Sequence, residues 1–451
     1  MKLLAISHAA PPRLTPQAIQ VARLLYHLDA DVTLLHAGAA DADAAFSGLD
    51  QYPHFFGRVK PLAVADPGPA LRDGWQCAAM RLLPGYGACP DLFGRWRRRA
   101  RRSALECIAG GGADVLASFG IPMTCHLLAL ELKRASGVPW LAHFSDLWAD
   151  HPSHQTGRLE QRLNAALERS VIGSADCVLF TSTRMLDLVM AKYPAAWRPR
   201  SAVLPPAWDT DNFTQAGASS PGRSQQISQR SDCSNHIIGH VSGPVIRHVV
   251  RHLGACDGAC SPEPLFAALG CIAAGTPRLL DGVRFEFVGP VAPALLATGA
   301  FTSLPPGLVS IRPAVGYRHS LQLARDSAAL LLIEAPSATG SVCLPGKLID
   351  YIGAGRPVWG IAPPGAAADL IGQWASGPHA CADPADPDAV ARMLAGRIAA
   401  LHAEPRRAGS AALAHRFAPQ RVAHGLRLAL EQVIAGAARA PFLPRERALP
   451  R

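Results

Sequence analysis

No stretch of the 451 residues approaches the ~18 apolar residues in a row that a membrane-spanning helix needs. The opening Met1-Lys2-Leu3-Leu4-Ala5-Ile6 is followed at once by Ser7, His8 and Pro11-Pro12, too short an apolar stretch for a signal peptide. Charged residues are few at 17%, but apolar ones reach 49%, which rules out a chain without a core. The 39 prolines and 40 glycines are spread without a collagen-like period. Cysteines number 11, odd and scattered, which does not suit a stapled secreted fold and suits a reducing cytoplasm. Cys256-x3-Cys260 lacks the second pair of a zinc site, and no Gly-x-Ser-x-Gly elbow occurs. Gly110-Gly111-Gly112 precedes a strand rather than following one, which makes it a turn and not a phosphate loop. Lysine is nearly missing. Positions 2, 60, 133, 192 and 347 hold all of it, and arginine makes up the rest of the 44 basic residues. The formal charge of +10 admits nucleic acid, a membrane surface or phosphorylated ligands, so the choice rests on where arginines cluster. The clearest cluster is Arg95-Trp96-Arg97-Arg98-Arg99-Ala100-Arg101-Arg102.

What is present is an alternation of short apolar strands and helices. Lys2–Ser7 reads as a buried strand, and Thr15 with Pro16 opens a helix carrying Ile19, Ala22 and Tyr26 on one stripe. Asp31–His36 is a strand, as are Ala113–Phe119, Trp140–Phe144 and Cys177–Phe180; helices fall at His126–Ala135 and from Leu159 through Val171. From Thr214 to Asn235 the composition turns to Ser, Gln, Gly and Arg, which reads as a linker or exposed loop. The alternation resumes with strands at Val249–Leu253, Arg284–Gly289, Leu308–Arg312, Ala329–Ile333 and Pro357–Ile361. Helices are expected over Pro262–Ala274, His319–Arg325 and Lys347–Ile352, and Val422, Leu426, Leu430 and Val433 mark an amphipathic closing helix. At ~150 residues per domain, two large domains are expected. The fold class is α/β, two doubly wound Rossmann-like domains facing a cleft, with ligands at the carboxyl ends of the strands.

Several segments, in order, resemble the family 4 glycosyltransferases of the GT-B fold. Ser7-His8-Ala9-Ala10-Pro11-Pro12-Arg13 and Pro16-Gln17-Ala18 are similar to that family's first strand, loop and helix. His143-Phe144-Ser145-Asp146-Leu147-Trp148 resembles its "Phe-Arg-Asp-Pro-Trp" segment. Glu168 with Ser174-Ala175-Asp176 and Thr181-Ser182 is similar to its "Glu…Ala-Asp-x-Val…Ser" stretch. Pro205-Pro206-Ala207-Trp208-Asp209 stands where the family has "Pro-Asn-Gly-x-Asp". Gly254, Gly258 and Ser261-Pro262-Glu263-Pro264-Leu265 resemble the second domain's first strand, glycine loop and helix. The strongest likeness is Leu344 through Val358, similar to "Pro-Ser-Lys-x-x-Glu-Tyr-x-Ala-Gly-x-Pro" of the polysaccharide-building members.

The resemblance implies an acceptor-side domain over 1–208, a junction and linker over 209–246 and a nucleotide-sugar-binding domain over 247–405. A closing helix over 406–436 and a tail over 437–451 complete it. It implies sugar transfer from a nucleotide diphosphate donor to an acceptor hydroxyl, with retained configuration, no cofactor beyond the donor as co-substrate, and no metal. A diphosphate needs cations or amides, and a ribose needs a carboxylate. Arg13, Gly254, Gly258, Glu263, Gly340, Ser341, Lys347, Leu348 and Asp350 are the expected donor residues, with Lys347 on the phosphates, Asp350 on the ribose and amides of Ala338–Ser341 around a phosphate. Asp146 and His126 are the expected catalytic residues, against alternatives of a helix cap and a structural histidine. The family carries glutamates eight residues apart where this chain has Val342 and Asp350, and a basic residue where it has Cys260. A degenerate binding partner and a nucleotide-sugar 2-epimerase are therefore the alternative readings.

Asp41-x-Asp43, Asp209-x-Asp211 and Asp386-x-Asp388 fall in Ala- or Pro-rich turns and are read as chance matches to a metal-binding pair. Leu82-Leu83-Pro84, Pro90–Phe93 and Trp96 among six arginines between 95 and 102 read as a patch for an anionic membrane surface. The alternative is a solvated helix face with Trp96 in the core. A lipid-linked saccharide acceptor and a place on the cytoplasmic face of the cell membrane follow from the membrane reading. No nucleic-acid motif accompanies the charges.

Overall fold

The computed structural model describes residues 1–13, 15–38, 55–68, 89–151, 157–209, 246–256, 260–337, 340–375, 378–403 and 409–436. The stretch Thr214–Asn235, the Asp41-x-Asp43 pair, Leu82-Leu83-Pro84, Asp211, Gly258, Ala338, Thr339 and the tail from 437 lie outside them. The chain divides into two units: Met1–Trp208, Val342–Ile349 and the residues from His415 form the first, Asp209–Ser341 and Asp350–Ala414 the second. Residues 342–349, expected in the nucleotide-sugar-binding domain, group with the first unit, and so does the closing helix, expected as a segment of its own.

The first unit is built on a seven-stranded parallel sheet in the order β3-β2-β1-β4-β5-β6-β7. Its strands are β1 (Lys2–Ile6), β2 (Asp31–Ala37), β3 (Val59–Val64), β4 (Val115–Gly120), β5 (Trp140–Phe144), β6 (Cys177–Phe180) and β7 (Ser201–Val203). Its helices of eight residues or more begin with α1 (Pro16–Tyr26), α2 (Gly94–Ala109), α3 (Thr124–Ser136), α4 (Arg158–Ser174) and α5 (Thr183–Met190). Every residue of β4, β5 and β6 is buried, as expected of a parallel sheet covered on both faces. One face packs Trp96, Leu128, Trp140, Phe144 and Trp148; the other packs Leu24, Phe119 and, from the closing helix Pro419–Ile434, Leu426 and Leu430. Thr15 Oγ1 accepts the Ala18 N–H (3.2 Å) to start α1, and Ser182 Oγ accepts that of Met185 (3.0 Å) to start α5.

Two of these strands go unread in the sequence, and both are edges. β3 exposes Lys60, Pro61 and Ala63, and proline is tolerated there because an edge has no outer ladder to donate to. In α2, Trp96, Ala100 and Ala104 recur every four residues and are fully buried. Trp96 therefore belongs to the core, and its insertion into a headgroup region is corrected.

The second unit carries a six-stranded parallel sheet in the order β10-β9-β8-β11-β12-β13. The strands are β8 (His248–Leu253), β9 (Val283–Val288), β10 (Val309–Arg312), β11 (Ala329–Ile333), β12 (Val358–Ile361) and β13 (Cys381–Ala382). Its longer helices are α6 (Glu263–Gly275), α7 (Tyr317–Asp326), α8 (Gly346–Gly353), α9 (Ala366–Trp374) and α10 (Pro387–Ala403). Helix α8 starts in the first unit's segment and continues into the second. At the ends of β8 and β9, Gly254 (φ +122°) and Gly289 (φ +139°) approach so closely that a Cβ on Gly289 would lie 2.5 Å from the Gly254 carbonyl oxygen. Asp386 Oδ1 accepts the Ala389 N–H (2.9 Å), so that acidic pair begins α10.

Candidate functional site

In the first unit, the loop after β5 presents Asp146 at the carboxyl end of a central strand, the place where open α/β sheets bind ligands. Three groups hold its carboxylate. The Leu147 N–H donates to Oδ1 (2.8 Å), the Cys343 thiol donates to the same oxygen (3.1 Å), and His151 Nε2 lies 3.6 Å from Oδ2. Burial favours the protonated acid, but the His151 and Cys343 contacts and the Leu147 amide outweigh it and hold Asp146 below its usual value. His151 moves the other way: its contact with Asp146 raises it, against a smaller opposing effect of burial. Asp146 is thus an anion with 29% of its side chain open. The local Leu147 contact is the cap-like bond of the structural alternative; the Cys343 and His151 contacts are more than a cap.

The loop is fixed from below. Fully buried Glu168 on α4 accepts the Ala149 N–H (2.9 Å) and is held by Lys192 and the Tyr193 hydroxyl. Trp148 Nε1 donates to buried Asn164 Oδ1 (2.9 Å). Beside Asp146, Ser145 Oγ contacts Gly120 O and lies 2.9 Å from the Gln17 side chain of α1. Segment 342–349 is tied to the same strand ends: Ser182 Oγ donates to Val342 O, and Val342 and Cys343 pack against this unit's core. Cys343, 197 residues from Asp146, left no sequence signal; His151, five residues along the same loop, could have been found by its spacing.

His126 does not stand with Asp146. It is fully buried, stacked on Phe144 at 4.4 Å, and its Nδ1 shares a 2.8 Å hydrogen bond with Ser118 Oγ, which also accepts from Trp140 Nε1 (2.8 Å). Burial, with a smaller push from neighbouring His143, drives its pKa down to about 3. The expectation of a cleft-facing catalytic histidine is corrected: an enclosed neutral ring meets no substrate, and His126 is a core residue. Arg13 is half-buried on the loop after β1, with Nη2 donating to Gly38 O (3.3 Å).

Among the donor residues, Lys347 stands half-buried in the first turn of α8 and makes no ion pair among the described residues. Asp350, one turn on, accepts from the Tyr317 hydroxyl of α7 (3.0 Å). Leu348 is fully buried, so its side chain is core and not a ligand. Gly340 (φ +79°) and Ser341 are occupied with backbone: the Ser341 N–H donates to Pro364 O (3.1 Å), the Gly340 N–H to Ser337 O (3.3 Å), and a Cβ on Gly340 would come within 2.4 Å of Pro364 O. Those two amides do not surround a phosphate, because one is bonded within its own loop and the other to the loop after β12. Glu263 is exposed at the start of α6, and Cys260 precedes that start half-buried.

On α2, Arg97 and Arg101 approach Glu131 (3.6 and 3.8 Å), and Arg102 pairs with Glu106 (3.0 Å). Arg95, Arg98 and Arg99 are exposed and make no ion pair among the described residues, near exposed Leu92 (45%) in the turn before the helix. No helix among the described residues is long and apolar enough to cross a membrane.

Residues 15–207 match the family model of the glycosyl transferase 4-like domain. No curated protein matches the chain by sequence. Among solved structures, Anabaena Alr3699/HepE in complex with UDP and glucose is similar at a TM-score of 0.59 and 14% identity, covering 96% of this chain and 100% of that one. The Neisseria meningitidis UDP-GlcNAc 2-epimerase bound to UDP-GlcNAc follows at 0.52 and 11%, covering 96% and 100%. The E. coli structure of trehalose-6-phosphate bound with UDP-2-fluoro glucose follows at 0.51 and 13%, covering 97% and 96%. Identities this low speak for the fold, and the fold is GT-B: two parallel-sheet Rossmann-like units of seven and six strands.

Proposed function

We propose, for a chain that carries a glycosyl transferase 4-like domain over residues 15–207 within a GT-B fold, transfer of a sugar from a nucleotide diphosphate donor to an acceptor hydroxyl. One observation carries the reading. The Cys343 thiol meets the Asp146 carboxylate four residues before Lys347, which makes no ion pair among the described residues, so one unit holds both a fixed anion and a cation on the segment that helps to fix it. Asp146 is suited to bind hydroxyls of the sugar or to offset positive charge developing at its anomeric carbon. Lys347, at a helix start where the dipole already favours anions, offsets the charge gathering on the departing diphosphate. No metal enters this reading. UDP-containing relatives support a uridine nucleotide, and polysaccharide or glycolipid assembly is the setting implied by the sequence resemblance.

The exposed Arg95, Arg98 and Arg99 support contact with an anionic membrane surface, and with it a lipid-linked acceptor. The membrane contact is electrostatic, since Trp96 is committed to the core. The epimerase fold is shared, so the fold does not separate the two activities; the matched domain favours transfer. A thermal-shift and calorimetric screen against nucleotide sugars tests the proposal. A raised melting temperature with UDP or a UDP-sugar is expected, and no binding at millimolar donor would leave only the degenerate-partner reading.

A further inference from the structure

The two carboxylate oxygens of Asp146 have different surroundings. Oδ1 takes both close donors, the Leu147 N–H (2.8 Å) and the Cys343 thiol (3.1 Å). Oδ2 takes none within hydrogen-bond distance among the described residues; the charged group beside it is His151, with Nε2 at 3.6 Å. Neighbouring Ser145 does not fill it either, since its Oγ is occupied with Gly120 O and the Gln17 side chain. A carboxylate has about four lone-pair sites, so the unused acceptor capacity lies on Oδ2. With 29% of the side chain open, that oxygen is the one Asp146 can offer to a ligand.

The Leu147 contact alone does not aim it. The last torsion of an aspartate is broad, so a single bond to the next residue's amide leaves the carboxylate plane free to swing. The Cys343 thiol, 197 residues along the chain, supplies a second donor on the same oxygen, and two donors from different directions fix the plane. The thiol is itself anchored at both sides. Before it, Val342 O accepts from Ser182 Oγ at the start of α5, and Val342 and Cys343 pack against the first unit's core. After it, Leu348 and Ile349 are fully buried. A thiol is a weak, neutral donor, so it sets the direction of the anion without cancelling its charge, as a lysine or arginine there would.

We infer that Cys343 is a positioning residue for the transfer proposed above, on which this inference rests: its thiol turns Asp146 Oδ2 toward the reacting sugar. There Oδ2 accepts a sugar hydroxyl or offsets positive charge at the anomeric carbon. Asp146 serves as a fixed anion and neither takes nor gives a proton, so the arrangement agrees with the retained configuration that the sequence resemblance implies. The thiol forms no bond to substrate and keeps its hydrogen. Two titratable groups face Asp146 among the described residues: His151 from its own loop, and Cys343 from the segment packed against it. Removing the thiol therefore leaves His151 as the only side chain holding the carboxylate, and that contact is a long one.

UDP-glucose with water as acceptor is the probe. Cys343→Ala is expected to lower kcat for glucose release by about tenfold, the low end for a hydrogen bond to a charged group because a thiol donates weakly. UDP affinity in calorimetry should stay within about twofold of the parent. The acid limb of the kcat profile should move upward, since losing a donor to the charged form makes Asp146 easier to protonate. Cys343→Ser keeps a donor and should restore most of kcat and the acid limb; a cysteine that only packs would gain nothing from serine over alanine. A second measurement needs no turnover. In protein labelled with carboxyl-13C aspartate, the Asp146 signal, assigned by its loss in Asp146→Asn, should titrate higher in Cys343→Ala and return in Cys343→Ser. An Asp146 titration unmoved in Cys343→Ala, or a serine variant no better than alanine, would overturn the inference while leaving the transferase reading intact. No UDP binding and no glucose release by the parent would remove the transferase reading, and this inference with it, whatever the carboxylate titration shows.

Discussion

Lys347 offers the most direct test of where the donor phosphates sit. Truncating it to Ala removes a half-buried ammonium that has no carboxylate partner among the described residues. No buried counter-charge is orphaned, so little of the effect should appear as lost stability. What is lost is a charge-assisted hydrogen bond to phosphate, worth about 1.5–3 kcal/mol, or roughly a 10- to 150-fold rise in the Kd for a nucleoside diphosphate. Lys347→Met keeps most of the aliphatic stem and should show nearly the same loss, which separates charge from packing. Isothermal titration with UDP reads the affinity, and the melting temperature without ligand reads the fold. The loss should shrink at high salt, because a cation–phosphate contact is screened. Unchanged affinity in both variants, with melting intact, would refute the placing of phosphate at the start of α8.

Three further outcomes are expected. The His151 imidazole should titrate above 6.5 by proton NMR, and Asp146→Asn should bring it back toward that value. Its folded pKa is the raised one, so the stability it gains from Asp146 is full below 6.5 and disappears as pH climbs through the folded value. Cys260→Arg should tighten UDP binding in calorimetry if that position faces phosphate; a destabilised variant that does not bind would show the thiol is packing. Liposome flotation should recover the protein with anionic vesicles, less so at high salt. Changing Arg95, Arg98 and Arg99 together to Gln should cut partitioning on the order of 100-fold, at ~1 kcal/mol per arginine; equal recovery with neutral vesicles would remove the electrostatic patch.

The local pattern of the chain was enough to set the α/β class and most strands, because a parallel sheet buried on both faces demands continuous apolar runs between helices. Val115–Gly120, Trp140–Phe144 and Cys177–Phe180 are such runs. Edge strands escape that logic: β3 carries Lys60 and Pro61 because, among the described residues, no strand pairs with its outer side. Asp146 was legible because it follows a strand. Its setting was not, since the thiol and imidazole that hold it come from Cys343 and His151, one of them nearly two hundred residues away. His126 looked equally well placed, but its helix turns it inward onto Phe144 and Ser118, and periodicity alone cannot tell a cleft from a core. The same holds for Trp96, whose arginine neighbours advertised a surface while its four-residue spacing with Ala100 and Ala104 put it inside. The loop at Gly340–Ser341 had the residues of a phosphate cradle, and only tertiary structure showed its amides already bonded to Ser337 and Pro364. His8 was legible only as part of the Ser7–Arg13 loop and Asp66 not at all; folding β1 and β3 into one sheet makes them a pair. Residue type and period fix which elements form, but only packing decides which side chains meet, because meeting depends on contacts between segments that share no local pattern.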